Sequence, residues 1–200
     1  MRRGNLCIFI GIVFVLAALG LAVYNITDEK KAFDSSSEVL TQIQPEIIEA
    51  ESFEETVPDY LSFPDMEMPV KEIDGSDYIG VLKFPGFDME MPVMSDWSYP
   101  KLKISPCRYS GSAYKNDMVI CAHNYDCHFG VLKSMIPGEI ITFTDMDGNE
   151  FLYEVAEIEI LDPFATEEMT SGDWDLTLFT CTYGGQERVT VRCILKDLPL

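Results

Sequence analysis

The sequence predicts a mainly β protein with short helices, preceded by one transmembrane helix. Short stretches of alternating apolar and polar residues recur from Tyr78 to Leu195, the period of half-buried strands. Turn-forming pairs punctuate them, among them Pro85-Gly86, Asp147-Gly148 and Gly184-Gly185, and many short strands with such punctuation suit a barrel. Leu6 to Tyr24 carries no charge at all.

At 1.5 Å per residue that apolar run spans about 28 Å, enough to cross a slightly thin hydrocarbon core. Arg2 and Arg3 precede it, and Asp28 and Glu29 follow. The positive-inside bias therefore puts the amino terminus in the cytoplasm and the remainder outside. The run is long for a signal peptide and encloses Ala17-Ala18 rather than ending at it, so an uncleaved anchor is expected. Asn25 to Val57 is polar and acidic, with Glu49, Glu51, Glu54 and Glu55 clustered. Val39, Leu40, Ile43, Ile47 and Ile48 form a short apolar stripe interrupted by Pro45. It reads as a solvated spacer with one or two helical turns, with a helix packed on the barrel as the lesser alternative. The expected partition is a cytoplasmic tail over 1–5, an anchor over 6–24, an acidic extracellular stalk and lead-in over 25–77, and a globular domain over 78–200. The formal net charge of −20 repels nucleic acid and anionic lipid, so nucleic-acid binding is excluded.

Asp65-Met66-Glu67-Met68-Pro69-Val70 recurs as Asp88-Met89-Glu90-Met91-Pro92-Val93, which reads as shared strand-edge chemistry. Tyr78 to Phe84 is the first expected strand and Met89 to Met94 the second. Trp97 to Pro106 is loop, and Cys107 to Ser112 leads through a polar loop to a strand over Asp117 to His123. One helical turn is expected over Phe129 to Met135. Glu139 to Thr144 and Glu150 to Leu161 form a hairpin about Asp147-Gly148. Asp145-x-Asp147-Gly148-Asn149-Glu150 invites a calcium reading but fails the EF-hand spacing, because position twelve is Ala156,. Asp162 to Asp173 connects to the last pair of strands.

Chemistry concentrates in Leu176 to Arg192, read as strand, Gly-containing loop, strand. Leu176, Leu178 and Thr180 alternate with Thr177, Phe179 and Cys181, so Cys181 points away from the leucine face. Arg188 opens the next strand on the same face as Thr190 and Arg192, opposite Val189, Val191 and Cys193. A thiol and a guanidinium at one end of adjacent strands suit acyl transfer, with a nucleophile beside a fixed positive donor. The chain has two histidines, and His123, ending an apolar run, is the candidate base,.

Thr177-Leu178-Phe179-Thr180-Cys181, followed by Arg188 and preceded by Ala122-His123-Asn124, resembles the signature of sortases, the cysteine transpeptidases of Gram-positive surfaces. The resemblance covers roughly Tyr78 to Leu195. A papain-type enzyme would place the cysteine before the histidine. His128-Phe129-Gly130 and Thr180-Cys181-Thr182-Tyr183 resemble class B sortases, although Thr182 stands where those often have an acidic residue and Ala122 where many sortases have glycine, which leaves the subclass open. The resemblance implies a closed sortase-type barrel at the cell membrane, single-pass, with the catalytic domain outside. It implies His123, Cys181 and Arg188 as catalytic residues, and Thr180, Phe164 and Trp174 as candidates for substrate contact. The implied partners are secreted proteins with a carboxyl-terminal sorting motif and an amine of a cell-wall precursor or pilin. No cofactor is implied. The alternatives are a cysteine peptidase that releases such peptides to water, and an inactive barrel that only binds them.

Of the other cysteines, Cys7 lies in the membrane run and Cys121 and Cys193 read as small core residues. Cys107 and Cys127 read as extracellular loop residues, where a disulfide is permitted and the pairing is open. Cys121-x-His123 with Cys127-His128 does not match structural zinc spacing, so no metal site is expected.

Overall fold

The computed structural model describes residues 2–51 and 58–196. Helix α1 spans Arg2–Glu51. The strands are β1 (Lys71–Ile73), β2 (Ser76–Phe84), β3 (Met89–Met94), β4 (Cys107–Ser110), β5 (Met118–Cys121), β6 (Ile140–Asp145), β7 (Glu150–Leu161), β8 (Leu176–Cys181) and β9 (Arg188–Leu195). Two short helices, α2 (Tyr99–Leu102) and α3 (Thr166–Thr170), and several 3-10 turns complete the described chain.

The sheet runs β1-β2-β3-β4-β5-β8-β9-β7-β6, and β2 also pairs with β6. That pairing closes β2 to β9 into a barrel, with β1 as a flap on β2. Gly80 makes the closure possible. It sits at a bulge against β3 and directly opposite Asp145 of β6. Its φ is +155°, and a Cβ there would strike the Thr144 backbone; only glycine tolerates both conditions.

Alternation sorts the strands as their sequences require. Met118, Ile120 and Ala122 of the β5 segment, Leu176 and Leu178 of β8, and Val189, Val191 and Cys193 of β9 join Leu82, Phe143 and Tyr153 inside the barrel. The outward row of β9 includes Arg192, which is buried beneath α3 rather than solvated. Its Nε meets Glu159 Oε1 of β7 at 2.7 Å. Its other nitrogens donate to the Thr177 hydroxyl at 3.0 Å and to the Glu168 and Met169 carbonyls at 2.6 and 2.9 Å.

A second core lies outside the barrel. Val39, Ile43 and Ile47 of α1 pack on Ile73, Tyr78, Val81, Met94, Cys107 and Cys121. Residues 25–51 are therefore not a spacer with one or two helical turns. They continue the membrane-type helix without a break and lay one face along the barrel. Pro45 is accommodated at an exposed position, where its missing N–H costs one bond to an exposed turn,. Glu54 and Glu55 lie outside the described residues. The apolar part of α1, from Leu6 to Tyr24, is exposed along its length, and it is long and apolar enough to cross a membrane.

Other expectations change in detail. Cys107 to Ser110 is a strand rather than loop, and Cys107 is buried opposite Cys121. Only the second copy of the hexapeptide forms a strand; the first is irregular and sinks Met68 into the barrel core. The Asp145 carboxylate is occupied by its own turn. It accepts from the Asp147 and Asn149 amides, both at 2.9 Å, from the Asn149 side chain at 2.8 Å and from the Tyr114 hydroxyl at 2.7 Å.

Candidate active site

His123, Cys181 and Arg188 meet because of strand register. β5 and β8 are parallel, with Cys121 level with Phe179. Two residues further, His123 therefore lies level with Cys181. β8 and β9 are antiparallel, with Cys181 opposite Arg188. All three positions lie on the row that alternation turns away from the barrel core. They line one cleft of about 220 Å³, walled by Asp162, Pro163, Ala165, Thr166 and Met169 on one side and by Trp97, Tyr99, Leu102 and Tyr109 on the other.

The loop from Cys181 to Arg188 is held tightly. The Thr182 amide donates to the Glu187 carbonyl at 2.9 Å, and the Glu187 amide donates to the Thr182 hydroxyl at 3.1 Å. Gly184 and Gly185 both have positive φ, 93° and 75°, which the reversal demands. Arg188 Nη1 donates to the Gly185 and Glu187 carbonyls at 3.1 and 3.0 Å. These bonds tie the guanidinium to the loop that follows Cys181.

Burial pulls the His123 pKa below its ordinary value, the Lys103 ammonium adds to this, and the Asp28 carboxylate opposes it. Burial and Lys103 thus favour the neutral imidazole, the form that accepts a proton,. Burial pushes the Cys107 thiol up to about 12 and Cys127 to about 11. Cys121 and Cys193 are raised as well, again by burial. Cys127 is half-buried and turns its thiol toward the Glu29 carbonyl of α1 at 3.7 Å. All six cysteines are free, and Cys181 is the half-exposed one in the cleft with His123.

The three residues expected to contact substrate are placed differently. Thr180 borders the cleft but is 3% exposed, and its hydroxyl donates to the Ala122 carbonyl at 2.8 Å. It ties β8 to the end of β5 that carries His123. Phe164 is 88% exposed and does not line the cleft, which its neighbours Pro163 and Ala165 do. Trp174 packs its indole on Gly172 and takes no part in the lining. Sequence reasoning missed an aromatic wall. Tyr99 packs edge-on to Trp97, Trp97 stacks on Tyr109 at 5.7 Å, and Tyr109 meets Phe179 edge-to-face at 5.3 Å. The signal was a loop carrying Trp97 and Tyr99 that no expected strand needed for its core.

A second cleft, of about 600 Å³, also borders Thr180 and Cys181. Asn25, Asp28 and Glu29 of α1 line it with Asn124, Asp126, Lys133 and Thr182. Cys181 thus borders both clefts, one walled by aromatic side chains and one that carries Asp28, Glu29 and Asp126 together with Lys133.

A family model described as the Sortase domain matches residues 82–196, more than half of the chain. No curated protein matches it. Among solved structures the chain is similar to a sortase D5 transpeptidase from Clostridium perfringens, at 17% identity over 82% of this chain and 99% of that one, with a TM-score of 0.61. It is similar to sortase C of Streptococcus pneumoniae, studied for its pilin substrate specificity, at 20% identity over 84% and 98%, with a TM-score of 0.56. It is also similar to sortase A from Corynebacterium diphtheriae, at 19% identity over 90% and 97%, again with a TM-score of 0.56. At these identities the likeness is one of fold.

Proposed function

This chain belongs to the sortase family, and from that premise we propose that it is a membrane-anchored cysteine transpeptidase acting on secreted proteins. Cys181 attacks the carbonyl of a scissile peptide bond in a sorting motif. Its proton passes to His123, the C–S bond forms, and the C–N bond breaks as His123 returns the proton to the leaving amine. An incoming amine of a cell-wall precursor or a pilin then attacks the thioester. The C–N bond forms, the C–S bond breaks, and the amine's proton returns through His123 to the thiol. Arg188 holds the peptide and faces the developing oxyanion. Its Nη2 and Nε make no hydrogen bond to the described residues, which leaves that edge of the fork for the substrate.

The observation that carries this reading is the convergence on one cleft of Cys181 from the end of β8, Arg188 from the start of β9 and His123 from the segment after β5. The aromatic wall of Trp97, Tyr99 and Tyr109 offers an apolar surface to the acyl-donor peptide. The second cleft favours transfer over hydrolysis, because an amine can reach the thioester while the peptide still fills the first. Arg2 and Arg3 before the apolar run support an outward-facing catalytic domain,. The test is product analysis of a sorting-motif peptide with the full chain in detergent, with and without an added primary amine. Transpeptidation predicts a cleaved product joined to the amine and little free acid. Free acid alone in both arms identifies a hydrolase, and an uncut peptide identifies a binding barrel.

A further inference from the structure

A catalytic imidazole works only if its ring is held in place. Here no described side chain makes a hydrogen bond to His123. What touches its face is Tyr125, with ring centroids 4.9 Å apart and an angle of 35° between the planes. Tyr125 in turn is held by α1, as its hydroxyl donates to Asp28 Oδ2 at 2.7 Å. Lys103, just past α2, pairs with the same oxygen at 3.2 Å. One residue further along each segment, the Asp126 amide donates to Glu29 Oε1 at 2.7 Å. The stretch leaving β5 directly after His123 is thus fastened to the first turn of α1 beyond the apolar run. Asp28 lies four residues past Tyr24, about 6 Å along the helix axis.

We propose that Asp28 is a positioning residue for His123: through Tyr125 it fixes the imidazole beside Cys181, and the membrane-proximal turn of α1 is thereby part of the active site. The proposal rests on His123 being the acid-base group of the transfer reaction. Several charged or titratable groups surround His123. Asp28 comes from α1, Lys103 from the loop after α2, and Tyr125 and the buried His128 from its own loop. Cys181 and Arg188 come from β8 and β9. Among them Asp28 favours the imidazolium and Lys103 opposes it. Neutralising Asp28 leaves the ammonium uncompensated, so the His123 titration moves to lower pH. Neutralising both moves it back.

The experiment uses the full chain in detergent micelles. Asp28→Asn, Asp28→Glu, Tyr125→Phe and the double variant Asp28→Asn/Lys103→Met are compared with the parent. The readouts are thermal stability, kcat and KM for a sorting-motif peptide, and the NMR titration of the two histidine rings, with His123 assigned by its loss in His123→Ala. Asp28→Asn and Tyr125→Phe are expected to lower kcat about tenfold or more, the scale for a hydrogen bond to a charged group, with KM nearly unchanged. Asp28→Glu recovers most of that loss. The His123 titration shifts down in Asp28→Asn and returns in the double variant. An active parent matched in kcat and His123 titration by Asp28→Asn overturns the proposal. So does a variant that loses only thermal stability. A parent that turns over no peptide refutes the transpeptidase reading itself, while the histidine titration still reports whether Asp28 acts on His123.

Discussion

Arg188 and Arg192 lie on the same face of β9, yet replacing them should damage different properties. Arg192 is 3% exposed and ties β7, β8 and α3 together through Glu159, Thr177 and the Glu168 and Met169 carbonyls. Arg192→Ala strands a carboxylate and two carbonyls. Glu159 is partly open and regains water, but the covered carbonyls do not. Breaking such a buried pair costs about 3–5 kcal/mol, and each unsatisfied acceptor accounts for about 1–3 of that. For a domain of this size that is a fall in Tm of about 10–20 °C. Because Met169 lines the cleft, KM for the peptide should rise as well. Arg188 makes its bonds to its own loop, so Arg188→Ala should move Tm by only a few degrees. Its turnover should fall at least roughly a hundredfold, the scale for losing an oxyanion donor. Arg188→Lys should be nearly as slow, since an ammonium lacks the planar fork. Thermal unfolding by circular dichroism and steady-state transpeptidation of a fluorogenic peptide measure both effects. A parental Tm in Arg192→Ala, or near-normal turnover in Arg188→Ala, refutes the reasoning.

Two further perturbations follow from buried polar groups. His128 is fully buried and neither ring nitrogen makes a hydrogen bond to a described residue; burial first, and then the His123 charge, push its pKa down to about 4, against a smaller opposing effect of the Ile104 backbone. An unfolded histidine titrates near 6.5, so between these values the unfolded chain binds a proton that the folded chain does not. Stability is thus complete above about pH 6.5 and falls as pH drops toward 4, by up to about 3 kcal/mol. His128→Leu should flatten that slope in urea unfolding across the window, and equal slopes would contradict the assignment. Thr180→Val removes the bond to the Ala122 carbonyl and should cost about 1 kcal/mol of stability while lowering kcat through the end of β5. An unchanged Tm with a raised KM would instead mean that the hydroxyl contacts the peptide.

The barrel was legible where strands alternate cleanly. On β8 and β9 the sequence alone separates the inward Leu176, Leu178, Val189 and Val191 from the outward Cys181, Arg188 and Arg192. β1 escaped notice because its three residues are too few to display a period, and β4 because it runs into the polar Ser110-Gly111-Ser112 stretch that reads as loop. The helical continuation of α1 escaped for a different reason. Its buried stripe includes Ala32 and Ser36 beside Val39, Ile43 and Ile47, so it reads as weakly apolar, and Pro45 falls at an exposed turn where a proline is tolerated. The grouping of His123, Cys181 and Arg188 was readable because each lies at or just past a strand end, where register fixes its neighbours. The cleft walls were not. Trp97, Tyr99 and Tyr109 meet only through tertiary packing, and the Asp28–Tyr125 link joins residues 97 positions apart.

The central claim is that Cys181 is the nucleophile that takes up an acyl group from a sorting peptide. Mass spectrometry of the full chain, after incubation with a thiol-reactive sorting-motif analogue, tests it most directly. A single adduct that maps to Cys181, is absent from Cys181→Ala, and is strongly reduced in His123→Ala is the predicted result. An adduct on Cys107 or Cys127, or one that persists in Cys181→Ala, would contradict the account.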